Sequence, residues 1–258
     1  MGLKCQQEGD EFIVEAILYV CHGSRSREGC EQAVSFIKKC RINNTAEIQE
    51  YGFLELASPT IEGAFERCIS RGASHIKVIP LLLLTAGHAK KDIPEVLSKL
   101  QEKYPDVTVQ YGNPIGVHAK MIDIITERLF EKNKQISDRA CILLVGRGSN
   151  DPDVKRDLGQ IAEMLQERIG SSTVKDCYLH GMGQKFTAAL NEAVQLDFAE
   201  IYIIPYLLFT GRLMTSMKKT IVEMKKRSTK KIVLCSCLGY HPNIERILEE
   251  RVLELNKC

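Results

Sequence analysis

The chain has 258 residues, 44% hydrophobic and 26% charged, with a formal net charge of +2. That profile suits one large globular unit or two smaller ones, and it offers no global charge from which to argue for nucleic acid. Trp is absent and aromatics are only 6%, which speaks against stacking platforms for single strands.

The opening MGLKCQQEGDEF is acidic and polar, where a secretory signal is basic and then apolar. EAILYVC at 15–21 reads as a strand and EGCEQAVSFIKKC at 28–40 as a helix. EIQEYGFL ends a second strand near Leu54. SPTIEGAFERCIS follows as a helix, with Ser58 expected as its cap and Pro59 at the first helical position. HIKVIPL is a third strand and IPEVLSKLQEKY a third helix; VTVQYG is a fourth strand, followed by a helix near 118–132. Near-continuous apolar strands spaced by helices predict an α/β fold whose parallel sheets are covered on both faces. The longest apolar run, VIPLLLLTAG, is far below the ~20 residues of a membrane span.

The pattern then begins again. ILYVCHGSR at 17–25 matches ILLVGRGSN at 142–150, GFLE at 52–55 falls against CYLH at 177–180, and VIPLLLLTAG at 78–87 against IIPYLLFTGR at 203–212. These three share an offset of 125 residues, and IGVH at 115–118 matches LGYH at 238–241 at an offset of 123. The expected organisation is two duplicated lobes: an N-terminal catalytic lobe over 1–132 and a degenerate repeat over 140–258. The polar NKQISDR at 133–139 links them.

Ligands on open α/β sheets bind beyond the carboxyl ends of the strands. His22 follows the first strand, Glu55 the second, and His88 lies in the loop after the third, so the three are expected on one rim. Two imidazoles and a carboxylate suit a divalent first-row metal with open positions, or proton transfer, or both if the metal is a substrate. The matching positions of the second half hold Arg147, His180 and Leu213. The loops therefore do not need these histidines to form, which places chemistry in the first lobe and support in the second.

Other residues have blander readings. His75 opens a strand, and His118 and His241 sit at matched helix starts, where capping is expected; His180 could face the cleft from the second lobe. The ten cysteines form no compact disulfide framework and mostly lie in apolar segments, which fits a reducing cytoplasm. Cys235 and Cys237 are expected to alternate across a strand, which prevents both from reaching one metal. HGSR and GRGS could cradle phosphate, but they lack the Walker and dinucleotide patterns. Arg25, Arg27, Lys90, Lys91, Arg147 and Arg212 are each surface residues by default; together they would form a basic cleft mouth suited to a polycarboxylate.

LYVCHGSR, FLE, IPLLLLTAGHAKKDIP, VGRGSNDPDVKRD and IPYLLFTGRLM resemble the sirohydrochlorin chelatases, most closely their long, internally duplicated bacterial ferrochelatase type. The resemblance implies insertion of Fe2+ into sirohydrochlorin, with loss of two protons, to give siroheme. It implies His22 as proton acceptor and metal ligand, Glu55 and His88 as further ligands, and a substrate segment of Leu83, Leu84, Thr85, Ala86, Gly87 and His88. The metal is then substrate rather than resident cofactor, and the partners are the ring and the ion, with no nucleic acid, no membrane, and a monomeric chain. Cys21 stands where Gly is common in the family, so a thiol beside the site is either a ligand or packing. The His-rich region and C-terminal Cys motif of some long cobalt-type relatives are missing. Two alternatives stay open: the same chemistry with Co2+ for cobalamin synthesis, and a carrier of metal or tetrapyrrole without turnover.

Overall fold

The computed structural model describes residues 13–42, 46–170, 172–239 and 241–257. Cys5, Cys258 and the acidic opening segment lie outside them. The first half runs β1 (Glu15–Cys21), α1 (Arg27–Ile42), β2 (Ile48–Phe53), α2 (Ile61–Ser70) and β3 (His75–Leu81). A π-helical turn (His88–Asp92) then leads directly into α3 (Ile93–Lys103), followed by β4 (Thr108–Tyr111) and α4 (Ala119–Phe130). The second half repeats the plan: β5 (Ala140–Gly146), α5 (Pro152–Ile169), β6 (Thr173–Tyr178), α6 (Phe186–Gln195), β7 (Glu200–Tyr206), α7 (Arg212–Lys225), β8 (Lys231–Leu234) and α8 (Pro242–Glu254).

Each half forms a four-stranded parallel sheet, ordered β2-β1-β3-β4 and β6-β5-β7-β8. Register follows the duplication: Val20 pairs with Gly52 and Pro80, and Val145 with Cys177 and Pro205. The strands are apolar on both faces because both faces are covered. Ala16, Leu18 and Val20 pack with residues of α2 and α3, while Ile17, Tyr19 and Cys21 face the other way. That second face belongs to a core continuous through both halves, which also contains Ile142, Leu144, Tyr202 and Ile204 of the other sheet.

The last helix of each half reaches across to the other. α8 packs on β3, and α4 packs on β7 and against α5 and α8. Matched polar contacts fasten the crossing. His118 caps α4, its Nδ1 accepting from the Lys120 backbone N–H, while its Nε2 meets Glu250 of α8 at 3.0 Å. His241 caps α8 in the same way and its Nε2 meets Glu127 of α4 at 2.8 Å. Arg128 donates to the carbonyls of Cys237 and Leu238, and Arg251 to those of Pro114 and Ile115. Both histidines are thus helix caps, as expected from their matched positions, and each also ties the two halves together.

Two local expectations are corrected. Ser58 is not the cap of α2; Thr60 is, its side chain accepting from the Gly63 backbone N–H at 3.2 Å. The Phe53 N–H donates to the Pro59 carbonyl at 2.8 Å, which holds Ser58 and Pro59 in the loop beside the end of β2. Cys235 and Cys237 do not alternate across a strand, because β8 ends at Leu234 and both lie beyond it. Cys235 is buried in the shared core, where desolvation pushes its thiol up to about 12.

Arg128→Ala and Arg251→Ala should each destabilise the fold by about 2 kcal/mol, since two backbone carbonyls lose a partly buried charged donor. Matched losses in urea midpoint at unchanged m-value would verify that the two crossings are equivalent.

Candidate metal centre at the cleft between the lobes

β1 lies between β2 and β3, so the loops leaving their carboxyl ends are neighbours. The topology reverses at this point, since the chain leaves β1 toward β2 and returns to its other side for β3, and such switch points are where open sheets hold ligands. One donor atom from each of His22, Glu55 and His88 lies within 4.8 Å of the others. Bonds of about 2.0–2.2 Å place opposing donors up to about 4.3 Å apart, so a small side-chain movement brings the trio onto one ion.

The close approach of the first two loops depends on Gly23. Its φ is +93°, and a Cβ built there would stand 1.7 Å from the Glu55 carbonyl oxygen. The Glu55 N–H donates to the His22 carbonyl at 3.1 Å, and the Leu54 N–H to the Cys21 carbonyl at 2.8 Å. The second lobe repeats the arrangement with Gly148, whose Cβ would stand 2.0 Å from the His180 carbonyl oxygen. The glycine shared by HGSR and RGSN therefore serves backbone contact between loops.

Two second contacts orient the imidazoles. His88 opens the π-helical turn, and its Nδ1 lies 2.6 Å from Oδ2 of Asp92, one turn further along. Donation to that carboxylate leaves Nε2 of His88 as the ligating nitrogen. His22 Nδ1 faces the Gly23 carbonyl at 3.2 Å and Glu55 Oε1 at 3.5 Å, both acceptors, so the proton sits on Nδ1 and the lone pair on Nε2. The rings of His22 and His88 meet edge to face at 4.5 Å between centroids. Burial, then Arg147 and His88, hold the His22 pKa below the ordinary imidazole value, against the opposing pull of Glu55. His22 is therefore a free base at neutral pH.

A cleft of about 780 Å³ opens beside this trio and is walled by both lobes. Of the expected substrate segment, Leu83, Leu84, Ala86, Gly87 and His88 line it, while Thr85 lies in the same loop but not in the wall. His180 lines it from the second lobe. Of the six basic residues, Arg25, Arg147 and Arg212 are in the wall. Arg27 instead pairs with Glu31, and Lys90 with Asp151 and Asp153 across the lobes. Cys21 also touches the cleft, but it is 3% exposed and burial pushes its thiol up to about 12. Its burial favours packing, and it is not among the three residues whose donors converge.

Sequence reasoning missed three residues here. Asp92 was legible in principle, as a carboxylate four residues after His88 on a helical turn. Arg147, expected as the duplicate of His22 and as part of a basic cleft mouth but not as a partner of His22, donates from Nη1 to His22 Nε2 at 2.5 Å. Leu56 lines the cleft, is 51% exposed, and holds a left-handed φ of 62°. Its match at the 125-residue offset is Gly181, at φ 66°, and that glycine was the available signal for an unusual backbone.

Two fused parallel-sheet lobes that bring an open trio of imidazoles and a carboxylate to a shared cleft define a two-lobed α/β protein of the chelatase type. The CbiX family model matches twice, over residues 16–132 and 141–255, and the chain belongs to that family. It is 46% identical to the sirohydrochlorin ferrochelatase of Priestia megaterium over 99% of this chain and 95% of that one. The sirohydrochlorin cobaltochelatase of the same organism is 32% identical over 93% of this chain and 80% of its own length. The solved structure of SirB from Bacillus subtilis with Fe3+ superposes with a TM-score of 0.87 at 40% identity, covering 94% of this chain and 95% of that one.

Gly23→Ala should destabilise the fold by several kcal/mol, about 3 or more, because the methyl group meets backbone that cannot step aside and φ is left-handed. Thermal unfolding of the variant, compared with Gly63→Ala in the first turn of α2, where a Cβ meets nothing closer than 3.7 Å, tests this; equal Tm values in the two would contradict it.

Proposed function

We propose that this chain inserts Fe2+ into sirohydrochlorin, and the observation that carries the reading is the convergence of His22, Glu55 and His88 within one ion's reach at the cleft. The reaction exchanges two pyrrole protons for a dication inside a rigid ring. His22, a free base, offers Nε2 to the ion and, once ring nitrogens have taken the ion over, takes up a proton on that same nitrogen. Glu55 helps remove protons and offsets the cost of holding positive charge. His88, steadied by Asp92, keeps the ion at the rim until ring nitrogens replace the protein's donors. Three donors suit this task, since a closed four-ligand cage would retain its ion.

The ring lies in the cleft between the lobes, with Leu83, Leu84 and Leu56 against its apolar face and Arg25 and Arg212 toward its carboxylates. The N-terminal lobe carries the chemistry, and the second lobe supplies the opposite wall. Similarity to a named ferrochelatase at 46% identity, against 32% for a named cobaltochelatase, favours Fe2+ over Co2+ as the physiological ion. Ligand type by itself favours neither strongly, and the affinity order runs toward Co2+. The chain works as a monomer without a resident cofactor, since fusion already builds both walls of the cleft. Its setting is the cytoplasm: the eight described cysteines are free thiols, and among the described residues no helix is long and apolar enough to cross a membrane.

Anaerobic incubation of the chain with Fe2+ and sirohydrochlorin, followed by absorbance, tests the proposal: a catalyst turns over many equivalents, and a spectral change that stops at one equivalent would identify a carrier. His22→Ala should lower insertion by about 10²–10⁴-fold, the usual worth of a positioned acid–base group, while leaving the unfolding curve unchanged. The acid limb of kcat/KM should fall below the ordinary imidazole pKa of about 6.5, because the His22 pKa is lowered and activity is lost only on its protonation. Glu55 raises that pKa, so Glu55→Gln should slow insertion and move the acid limb further down in pH; an unmoved limb would remove its electrostatic role.

A further inference from the structure

The nitrogen that must bind the metal is already in use. His22 keeps its proton on Nδ1, toward Gly23 and Glu55, so Nε2 carries its one available lone pair. That lone pair accepts a hydrogen bond from Nη1 of Arg147 at 2.5 Å. It can serve a guanidinium or a metal ion but not both, and the cationic guanidinium of Arg147 also repels an arriving dication.

Arg147 is placed to leave. It is exposed at the cleft wall, and among the described residues it pairs with no carboxylate. Its backbone is pinned by the His180 N–H donating to its carbonyl at 3.0 Å and by the neighbouring Gly148, so the side chain can swing from a fixed base. A neutral imidazole is a weaker partner for guanidinium than a carboxylate, which binds it with two parallel charge-assisted bonds. Lys90, which also reaches across the lobes beside the cleft, already has two carboxylates.

We propose that Arg147 is a displaceable occupant of the metal position: a carboxylate of the incoming ring draws it off His22, and only then is Nε2 open to the ion. This rests on the chelatase reading for the identity of the ring. It assigns the second lobe an active part, since the residue that shuts the metal site occupies the duplicate position of the histidine it shuts. Ring binding and metal binding become coupled, each favouring the other by the same factor. The metal-free, ring-free chain holds divalent ions weakly.

Two titrations on the full chain test it. Co2+ chloride, followed by calorimetry with no ring present, should bind Arg147→Leu about tenfold more tightly than the wild type, the worth of releasing one charge-assisted bond. Arg147→Gln, which keeps a long polar side chain but not the charge, should also gain. The gain should vanish in Arg147→Leu/His22→Ala. Sirohydrochlorin, followed by fluorescence with no metal present, should bind Arg147→Leu several-fold more weakly, by roughly the loss of one ion-paired contact. Co2+ affinity that is unchanged or weaker in Arg147→Leu, a gain that survives loss of His22, or unaltered sirohydrochlorin binding would each overturn the proposal. The Co2+ titration needs no turnover, so its outcome is independent of the chelatase reading, which fails if the wild type inserts no Fe2+.

Discussion

The structure depends on the exchange of terminal helices. Neither sheet is sealed by its own lobe: α8 of the second half covers β3 of the first, and α4 of the first covers β7 of the second. The apolar faces these helices bury form one core spanning both halves, and burial on that scale is the main force fixing the two sheets against each other. The histidine caps and the arginine–carbonyl bonds add direction to a force that has none. Because the lobes are locked through their middle layer, the strand ends face each other across a cleft of defined width, and a metal trio on one wall has a fixed partner on the other.

The chemistry of the centre then follows from unequal evolution of equal frames. Both lobes keep the glycine that lets the first two loops touch, at Gly23 and Gly148, and both keep the backbone bonds around it. What differs is the side chain carried by the frame: an imidazole at 22 and a guanidinium at 147, a carboxylate at 55 and an imidazole at 180. The first lobe also keeps a leucine at 56 in a backbone conformation for which the second uses Gly181. A strained, exposed apolar side chain at a cleft is the kind of local cost that folds retain where a ligand is held. The first lobe thus keeps strain and ligands together, and the second has relaxed both.

Much of this was legible in the residues. Strand positions came through well, since EAILYVC and HIKVIPL coincide with β1 and β3, and fully apolar runs of that length between helices have few other homes. The 125-residue offset carried the two-lobe architecture, and topology alone placed His22, Glu55 and His88 on one rim. The errors were local or long-range. Ser58 and Thr60 are equally good caps by composition, and the choice was made by a backbone bond between Phe53 and Pro59 that no propensity encodes. Asp92 stands four residues after His88, a spacing that becomes a contact only once the segment is taken as a helical turn rather than as loop. Arg147 and Lys90 looked like solvated cations, since their partners lie in the other lobe, and pairing across so great a separation in sequence is invisible to local pattern. The crossing of α4 and α8 was unreadable for the same reason: amphipathic helices announce that they need a covering partner but not which sheet supplies it.

The contact between His22 and Arg147 could not exist in an assembly of two identical copies of one lobe. Positions related by a twofold axis in such a pair carry the same residue, so histidine would face histidine, or arginine would face arginine. Covalent joining of the copies lifts that restriction, because each half can then drift alone. The benefit of the long chain over a symmetric pair is therefore less its extra tether than its freedom to be lopsided, with one side of the active cleft donating to the metal and the other withholding it.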